Sequence, residues 1–332
     1  MTDLSTTYLG LALAHPFVAG ASPLCDTLEG ARHLEDAGAS AIVLRSLYEE
    51  QLTTESMATH ASLHQHAESF GEATSYLPQP EAFTLGADDY LRHLTRVKEA
   101  VGVPVMASLN GSGVGPWLEH AALVEQAGAD ALELNIYDVV TDPAVDGATV
   151  EDRAVAIVRE ARSRTGLPIS VKLSPFYTSL ANLAARLGEA GADGRVLFNR
   201  FFEPDLDAED LRLRSRLVPS SSGELLLRLR WLGVISGQIE NVDLAVTGGV
   251  HTGLDGVKSV MCGAHAVQVV SALLVHGPGR LRSIREDFTA WLVEHEYESV
   301  TQMRGSMNLA RCPDPSVHAR SQYVRLLQTW SP

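Results

Sequence analysis

The stretch LAVTGGVHTGLDGVKSVMCGAHAVQVVSALL, residues 244–274, indicates the fold. An apolar strand-like run (244–246) ends at TGG (247–249), a helical segment follows, and a second apolar run (266–270) ends at Ser271. Two consecutive βα units predict parallel strands joined by helices. Small residues at strand ends let backbone N–H groups approach a phosphate, and the loops after the last two strands of a (β/α)₈ barrel are a frequent phosphate site. This segment therefore predicts a barrel that binds a phosphorylated ligand; the alternative is that the glycine pair only forms a tight turn.

The same alternation runs along the whole chain. Candidate strands are Phe17–Ala21, Ala41–Leu44, Pro104–Leu109, Ala131–Asn135, Pro168–Leu173, Arg195–Asn199, Leu244–Thr247 and Ala266–Val270. Four of them follow the same kind of junction, in which a helix end, a glycine and a small-residue turn lead into the strand (EDAGASAIVL, EQAGADALEL, GEAGADGRVL and MCGAHAVQV). A recurring junction with no linker predicts a single TIM-barrel domain over residues 1–332.

Three segments exceed a minimal barrel. Residues 1–16 predict a β-hairpin that closes the barrel floor. Residues 48–86 form a long loop after the second strand, and loops of this length without periodicity are usually functional, which predicts a lid. Residues 298–332 follow the last barrel helix as a C-terminal tail, which we expect to pack on the outside or at a subunit contact.

Composition excludes several classes of protein. The chain has 332 residues and a net charge of −15, which disfavours both nucleic acids and anionic membrane surfaces. No apolar run is long enough to span a bilayer, and the N-terminus does not read as a signal peptide. The 3 cysteines are scattered, which favours a reducing cytoplasm over a disulfide framework. No metal site is predicted, because the His60–His64 pair has no third ligand in the pattern.

Polar residues collect at the predicted strand ends, where the chemistry of such barrels is found. They comprise amides, hydroxyls, one lysine, two arginines and glycines: Arg45, Ser46, Ser108, Asn110, Asn135, Lys172, Asn199, Arg200, Thr247, Gly248, Gly249 and Ser271. Amides that both donate and accept suit a heteroaromatic ring. A buried Lys172 would stabilise negative charge on a reduced cofactor, whereas the alternative is a structural ion pair with Glu133.

Five segments on these strands resemble the dihydroorotate dehydrogenase family of FMN flavoproteins. They are ALELN (131–135), VKLSP (171–175), VLFNR (196–200), TGGV (247–250) and GAHAVQVVSALL (263–274). The chain is most similar to a bacterial subgroup described as dihydroorotate dehydrogenase-like. The resemblance implies an FMN-dependent oxidoreductase that acts on a CH–CH bond, nominally converting dihydroorotate to orotate in pyrimidine biosynthesis.

The resemblance also implies site residues. It places the isoalloxazine ring against Ala19, Gly20 and Ala21, with Ser46, Asn135, Lys172 and Asn199 around its polar edge. It assigns the phosphate to Gly248, Gly249, Val270 and Ser271, and it includes Thr247 among the cofactor-binding residues. Lys172 and Asn135 would take part in catalysis beside the ring.

Three positions depart from the family pattern. Arg45 stands where the family usually has a lysine, Asp138 where soluble members have the cysteine base, and Val140 where they have a substrate-binding asparagine. Asp138 is therefore the aligned candidate for the base, and the alternative is a solvated or loop-capping aspartate. Without the usual clamp we expect activity on dihydroorotate to be weak or absent, because unpaired polar groups on a bound ligand are costly.

The expected partners are a small cyclic or unsaturated substrate and a soluble electron acceptor or donor, in a cytoplasmic homodimer. No cysteine cluster for an iron–sulfur centre is present. Two other functions stay open from the residues alone. One is a flavin-binding protein without catalysis, such as a sensor. The other is a barrel lyase or synthase that binds a phosphorylated ligand without a flavin.

Overall fold

The computed structural model describes residues 2–52, 86–200 and 203–329. Its strands are β1 (Thr6–Tyr8), β2 (Leu11–Leu13), β3 (Phe17–Ala19), β4 (Ile42–Val43), β5 (Leu47–Tyr48), β6 (Val105–Gly111), β7 (Ala131–Ile136), β8 (Ile169–Leu173), β9 (Gly194–Leu197), β10 (Pro204–Asp207), β11 (Arg212–Ser215), β12 (Asp243–Thr247) and β13 (Ala266–Val269). The parallel order β4-β3-β13-β12-β9-β8-β7-β6 closes through a β4–β6 pairing. This confirms the predicted (β/α)₈ barrel, whose eight strands match the eight expected runs.

The helices are α1 (Leu28–Asp36), α2 (Ala87–Ala100), α3 (His120–Gln126), α4 (Gly147–Arg164), α5 (Leu180–Glu189), α6 (Leu225–Gln238), α7 (Gly253–Met261), α8 (Ser271–His276), α9 (Arg280–Glu294), α10 (Val300–Met303) and α11 (Ser321–Thr329). Several begin where a side chain accepts a hydrogen bond from a free amide of the first turn. The α7 helix has a complete capping box between Thr252 and Asp255. Helix α7 therefore begins at a defined residue directly after the β12 loop.

The N-terminal hairpin closes the bottom of the barrel, as predicted. Strands β1 and β2 pair antiparallel, and Tyr8, Leu9 and Leu13 are almost fully buried. They pack against small and branched side chains from the barrel interior, namely Val18, Ala41, Val43, Met106, Ala131, Val196, Ala245 and Ala266. The Leu9 N–H also donates to Asp243 Oδ2 at 2.6 Å, at the start of β12. The floor is therefore sealed, which leaves the opposite end for ligands.

Other segments are less regular. A hairpin of β10 and β11, which sequence patterning did not predict, lies between β9 and α6 and is almost wholly exposed. The C-terminal tail packs on α6, where the Leu309 N–H donates to the Gly233 carbonyl at 2.9 Å. Most of the predicted lid (53–85), with His60 and His64, lies outside the described residues. The single-domain division stays a prediction. In the ranges described, no helix combines the length and the apolar character needed to cross a bilayer.

Candidate functional site

A cavity of about 400 Å³ opens at the carboxyl ends of the barrel strands. Nine of the twelve residues expected around a cofactor line it: Ala21, Ser46, Asn135, Lys172, Asn199, Thr247, Gly248, Val270 and Ser271. These residues come from seven different strands or strand ends, so only the closed barrel brings them together. The volume is in the range usual for small-molecule sites, about 300–1,000 Å³.

The other three expected residues shape the cavity without lining it. Ala19 is buried within β3. A Cβ on Gly20 would lie 2.6 Å from Val270 Cγ2, so only glycine permits this approach of β3 to β13. Gly249 has a φ of +84°, and a Cβ there would lie 2.6 Å from the Leu225 backbone nitrogen. The two glycine positions therefore require the absence of a side chain for steric reasons, independently of any ligand.

Two amides occupy one wall of the cavity in a defined orientation. Asn199 Nδ2 donates to Asn135 Oδ1 at 2.8 Å, and Asn199 Oδ1 accepts from the Arg200 N–H at 3.0 Å. Among the described residues, Asn135 Nδ2 has no hydrogen-bond partner. It is therefore available to a ligand carbonyl or ring nitrogen.

Lys172 is held by a buried polar chain. Its Nζ lies 3.3 Å from Glu133 Oε1, and Glu133 Oε2 accepts from Gln268 Nε2 at 2.6 Å. Glu133 is fully buried. The structural ion pair considered from the sequence is thus present, and Lys172 also lines the cavity. The carboxylate holds the ammonium group at the cavity wall, so the two roles are compatible.

Ser220 is a site residue that the sequence patterning missed. The Gly249 N–H donates to Ser220 Oγ at 3.1 Å, and the Ser220 N–H donates to Ser271 Oγ at 3.1 Å. Ser220 Oγ also lies 3.0 Å from His251 Nε2. Ser220 thus links the ends of β12 and β13 into one polar cluster. The signal for it was the PSSSG run (219–223) directly before α6, because small hydroxyl residues ahead of a helix commonly bind anions or backbone groups.

Asp138 lies outside this cavity. Its Oδ2 is 2.7 Å from Arg153 Nη1, in an ion pair between the loop after β7 and α4. Together with Tyr137 and Val140 it lines a second cavity of about 520 Å³, between the loops that follow β7 and β8. The structure therefore brings together the expected cofactor residues and leaves the expected base in a neighbouring pocket. Its role as a base stays a prediction.

Arg45, at the lysine position of the family pattern, also lines the first cavity. Its Nη1 pairs with Asp26 Oδ2 at 3.0 Å, which directs the charged end of the side chain toward the loop after β3. No group of three or more histidine, cysteine or acidic residues in the described ranges is placed to hold a metal ion.

Comparison with known proteins agrees with this geometry. The family model described as dihydroorotate dehydrogenase matches residues 3–292. A protein of Aeropyrum pernix named as dihydroorotate dehydrogenase A (fumarate) is 32% identical over 221 residues, 64% of this chain and 70% of that one. The dihydroorotate dehydrogenase B (NAD(+)) catalytic subunit of Thermoplasma volcanium is 25% identical over 313 residues, 92% of this chain and 98% of that one. The corresponding subunit of Shouchella clausii is 28% identical over 208 residues, 61% and 68% of the two chains.

The chain belongs to the dihydroorotate dehydrogenase family. The predicted family and enzyme class, a flavin-dependent oxidoreductase of the dihydroorotate dehydrogenase type, are thereby confirmed.

Proposed function

We propose that this protein binds FMN in the 400 Å³ cavity and uses it to dehydrogenate a small cyclic substrate at a CH–CH bond. The observation that carries the proposal is the arrangement of the lining residues. Amides and a lysine occupy one wall, and a glycine and a serine hydroxyl follow the last two strands. A flat ring with alternating N–H and C=O groups and a phosphate tail matches that distribution.

The residues fit a phosphate at the β12 and β13 end. Gly248 lines the cavity, and its N–H has no hydrogen-bond partner among the described residues. The hydroxyls of Ser220 and Ser271 lie beside it as part of one hydrogen-bonded cluster. Backbone N–H groups and hydroxyls are the usual ligands of a phosphate that is bound without a metal.

The residues also fit the polar edge of a flavin ring. When bound, FMN supplies the chemistry of accepting a hydride. Lys172 then stabilises the negative charge that develops on the ring, from a position fixed by Glu133. Asn135 and Asn199 orient the ring and the substrate through their amides.

Dihydroorotate is the substrate class that the relatives' names indicate. We propose that this chain turns it over slowly or not at all, because the resemblance to the family places Asp138 at the position of the base and Val140 at that of a substrate-binding asparagine. In the second cavity the carboxylate of Asp138 is accompanied by Val139, Val140 and Phe176. Hydroxyl groups of Tyr137, Ser174, Tyr177 and Thr178 also line this cavity, but among the described residues no asparagine does. The paired donor and acceptor that an amide side chain offers to a pyrimidine ring is therefore missing there.

Anaerobic stopped-flow reduction of the bound flavin by dihydroorotate tests the substrate proposal. We expect reduction far slower than an ordinary turnover of about 10 s⁻¹. Two variants test the base. Asp138→Asn removes the carboxylate and so breaks its ion pair with Arg153. Arg153→Gln breaks the same ion pair but keeps the Asp138 carboxylate.

If Asp138 is the base, only Asp138→Asn abolishes reduction. Equal losses in the two variants would mean that the ion pair only holds the loop. Fast reduction by the wild-type protein that is unchanged in Asp138→Asn would contradict both the slow-turnover proposal and the base.

We further propose that electrons pass to a soluble acceptor, or come from a soluble donor, and that the protein is a cytoplasmic homodimer. The names of the Thermoplasma and Shouchella relatives describe catalytic subunits linked to NAD(+). A partner protein that carries electrons is therefore one form that this acceptor could take. Steady-state assays with NAD(+), fumarate and an artificial dye as acceptors would separate these routes.

A further inference from the structure

A buried arginine lies behind the glycine pair of the proposed phosphate site. Arg228, on α6, is only 5% exposed. Its Nε donates to the Thr247 carbonyl oxygen at 2.5 Å, and its Nη1 donates to the Glu224 carbonyl oxygen at 2.7 Å. A Cβ on Gly248, whose φ is +78°, would lie 2.6 Å from Arg228 Nη2. Glycine at 248 is therefore needed partly to make room for the guanidinium group.

The charge of Arg228 is not matched by a direct ion pair, although the Glu224 carboxylate lies near enough to act on it. Within the described ranges Arg228 forms no ion pair. The Glu224 carboxylate, one turn earlier on the chain, is instead bonded to Arg200 at 3.1 and 3.2 Å. Burial lowers the pKa of Arg228, with the nearby charge of Glu224 opposing that shift and the charge of Arg200 adding to it. A buried cation without a partner is unfavourable until an anion approaches it.

The hydrogen bond from Arg228 also sets the direction of the neighbouring amide. In a trans peptide the C=O and the following N–H point in opposite directions. Because the Thr247 carbonyl is directed at Arg228, the Gly248 N–H is directed away from it. Gly248 lines the cavity and its N–H has no partner among the described residues. The arginine thus leaves a free donor on the cavity side of the loop.

We propose that Arg228 is a positioning residue for the phosphate of the bound nucleotide. It fixes the Gly248 N–H toward the phosphate and places a positive charge behind the loop, without itself lining the cavity. This inference rests on the proposed FMN binding and adds to it the residue that makes the site selective for a phosphorylated ligand. Riboflavin, which has the same ring and no phosphate, should not benefit from Arg228.

Equilibrium titrations with FMN and with riboflavin test this directly. They use flavin-free protein, with quenching of flavin fluorescence as the signal. In Arg228→Met we expect FMN to bind at least about tenfold more weakly, because tenfold corresponds to the loss of one interaction of ordinary strength. The affinity for riboflavin should change less than about threefold. Arg228→Lys keeps the charge but cannot make both carbonyl contacts, so its loss should be intermediate. Arg230→Met, on the same helix but exposed, is the matched control and should bind both ligands normally.

Equal weakening of FMN and riboflavin in the Arg228 variants would overturn the inference, because it would show a structural role only. Circular dichroism of the flavin-free proteins checks folding. If Arg228→Met does not fold, Arg228→Lys gives the same comparison of the two ligands. Wild-type protein that binds neither ligand would contradict the proposed function itself. Wild-type protein that binds riboflavin as tightly as FMN would contradict the phosphate site and with it the role of Arg228, but not flavin binding.

Discussion

At the scale of single residues, the proposed chemistry depends on charges that the barrel holds in place. Among the described residues, Lys172 is the only lysine that lines the 400 Å³ cavity, and the fully buried Glu133 holds it there. A buried carboxylate paired to one cation becomes strongly destabilising if that cation is removed. The pair therefore contributes to folding as well as to the proposed chemistry, and the two contributions can be measured separately.

Replacing Lys172 by methionine should lower the reduction potential of the bound flavin. The positive charge stabilises the reduced ring, so we expect a decrease of about 60 mV, equivalent to roughly 3 kcal/mol for a two-electron couple. Redox titration against a reference dye measures this potential without knowledge of the substrate.

The matched control is Lys172→Met combined with Glu133→Gln, which removes the unpaired carboxylate. Relative to Lys172→Met alone, we expect this double variant to gain about 3 kcal/mol in its free energy of unfolding. Its flavin reduction potential should stay as low as in the single variant. A potential equal to that of the wild-type protein would argue against the role of Lys172.

Gly249→Ala should destabilise the protein even without a ligand. Alanine would have to adopt the left-handed φ of Gly249, which costs about 1–2 kcal/mol. Its Cβ would also lie 2.6 Å from the Leu225 backbone nitrogen, and this overpacking adds about 1–3 kcal/mol. The matched control is Gly10→Ala, because Gly10 has a similar φ of +73° and open space around it. Urea unfolding of the flavin-free variants compares the two. Equal stabilities would mean that the loop after β12 adapts freely, contrary to the close packing described above.

At the scale of secondary structure, the elements of the barrel could be predicted more completely than the site. The eight strands follow from apolar runs that are buried on both faces, which is the pattern of parallel strands. The β10–β11 hairpin was missed because its residues are charged and exposed on both faces. Ser220 and Arg228 were missed for another reason. Their partners lie 29 and 19 positions away along the chain, so tertiary packing is needed to show what they contact, even though the PSSSG run hints at Ser220.

The element that closes the barrel floor gives a prediction on pH. His15 links the hairpin to β3, and its Nδ1 accepts a hydrogen bond from the Phe17 N–H at 3.2 Å. Burial, followed by the nearby charge of Arg285, lowers the pKa of His15 from 6.5 to about 4. Between these two values the unfolded chain binds a proton that the folded chain does not, so stability is lost as the pH falls from about 7 to about 4.

His15→Asn should reduce that loss, because asparagine keeps an acceptor for the Phe17 N–H and does not titrate. In the wild-type protein, His15 alone accounts for a loss of up to about 3 kcal/mol in the free energy of unfolding over this pH range, since each pKa unit corresponds to about 1.4 kcal/mol. Urea unfolding at pH 7 and at pH 4.5 for the two proteins measures the difference. The same pH dependence in both would show that His15 is protonated in the folded state, contrary to its acceptor role.

At the scale of the whole molecule, the residues that stabilise the fold and the residues of the proposed site lie at opposite ends of the barrel. Its floor is sealed by Tyr8, Leu9 and Leu13, whereas polar side chains meet at the opposite end. The closed barrel and the family are established, and both could be inferred from sequence alone. The position of Asp138 could not, because its ion pair with Arg153 depends on how the loop after β7 meets α4.

Flavin titration of the intact protein, with and without Gly249→Asp, tests the central claim most directly. We expect the purified wild-type protein to be yellow, with the absorption near about 450 nm typical of flavins, and to contain or take up one FMN per chain. Gly249→Asp should abolish that uptake, since its side chain collides with the start of α6 and adds a negative charge to the phosphate loop. Gly249→Ala, which has the same steric conflict without the charge, is the matched control and should retain part of the uptake. Colourless protein that takes up no added FMN would contradict the account and favour a barrel enzyme that binds another phosphorylated ligand through the same loops.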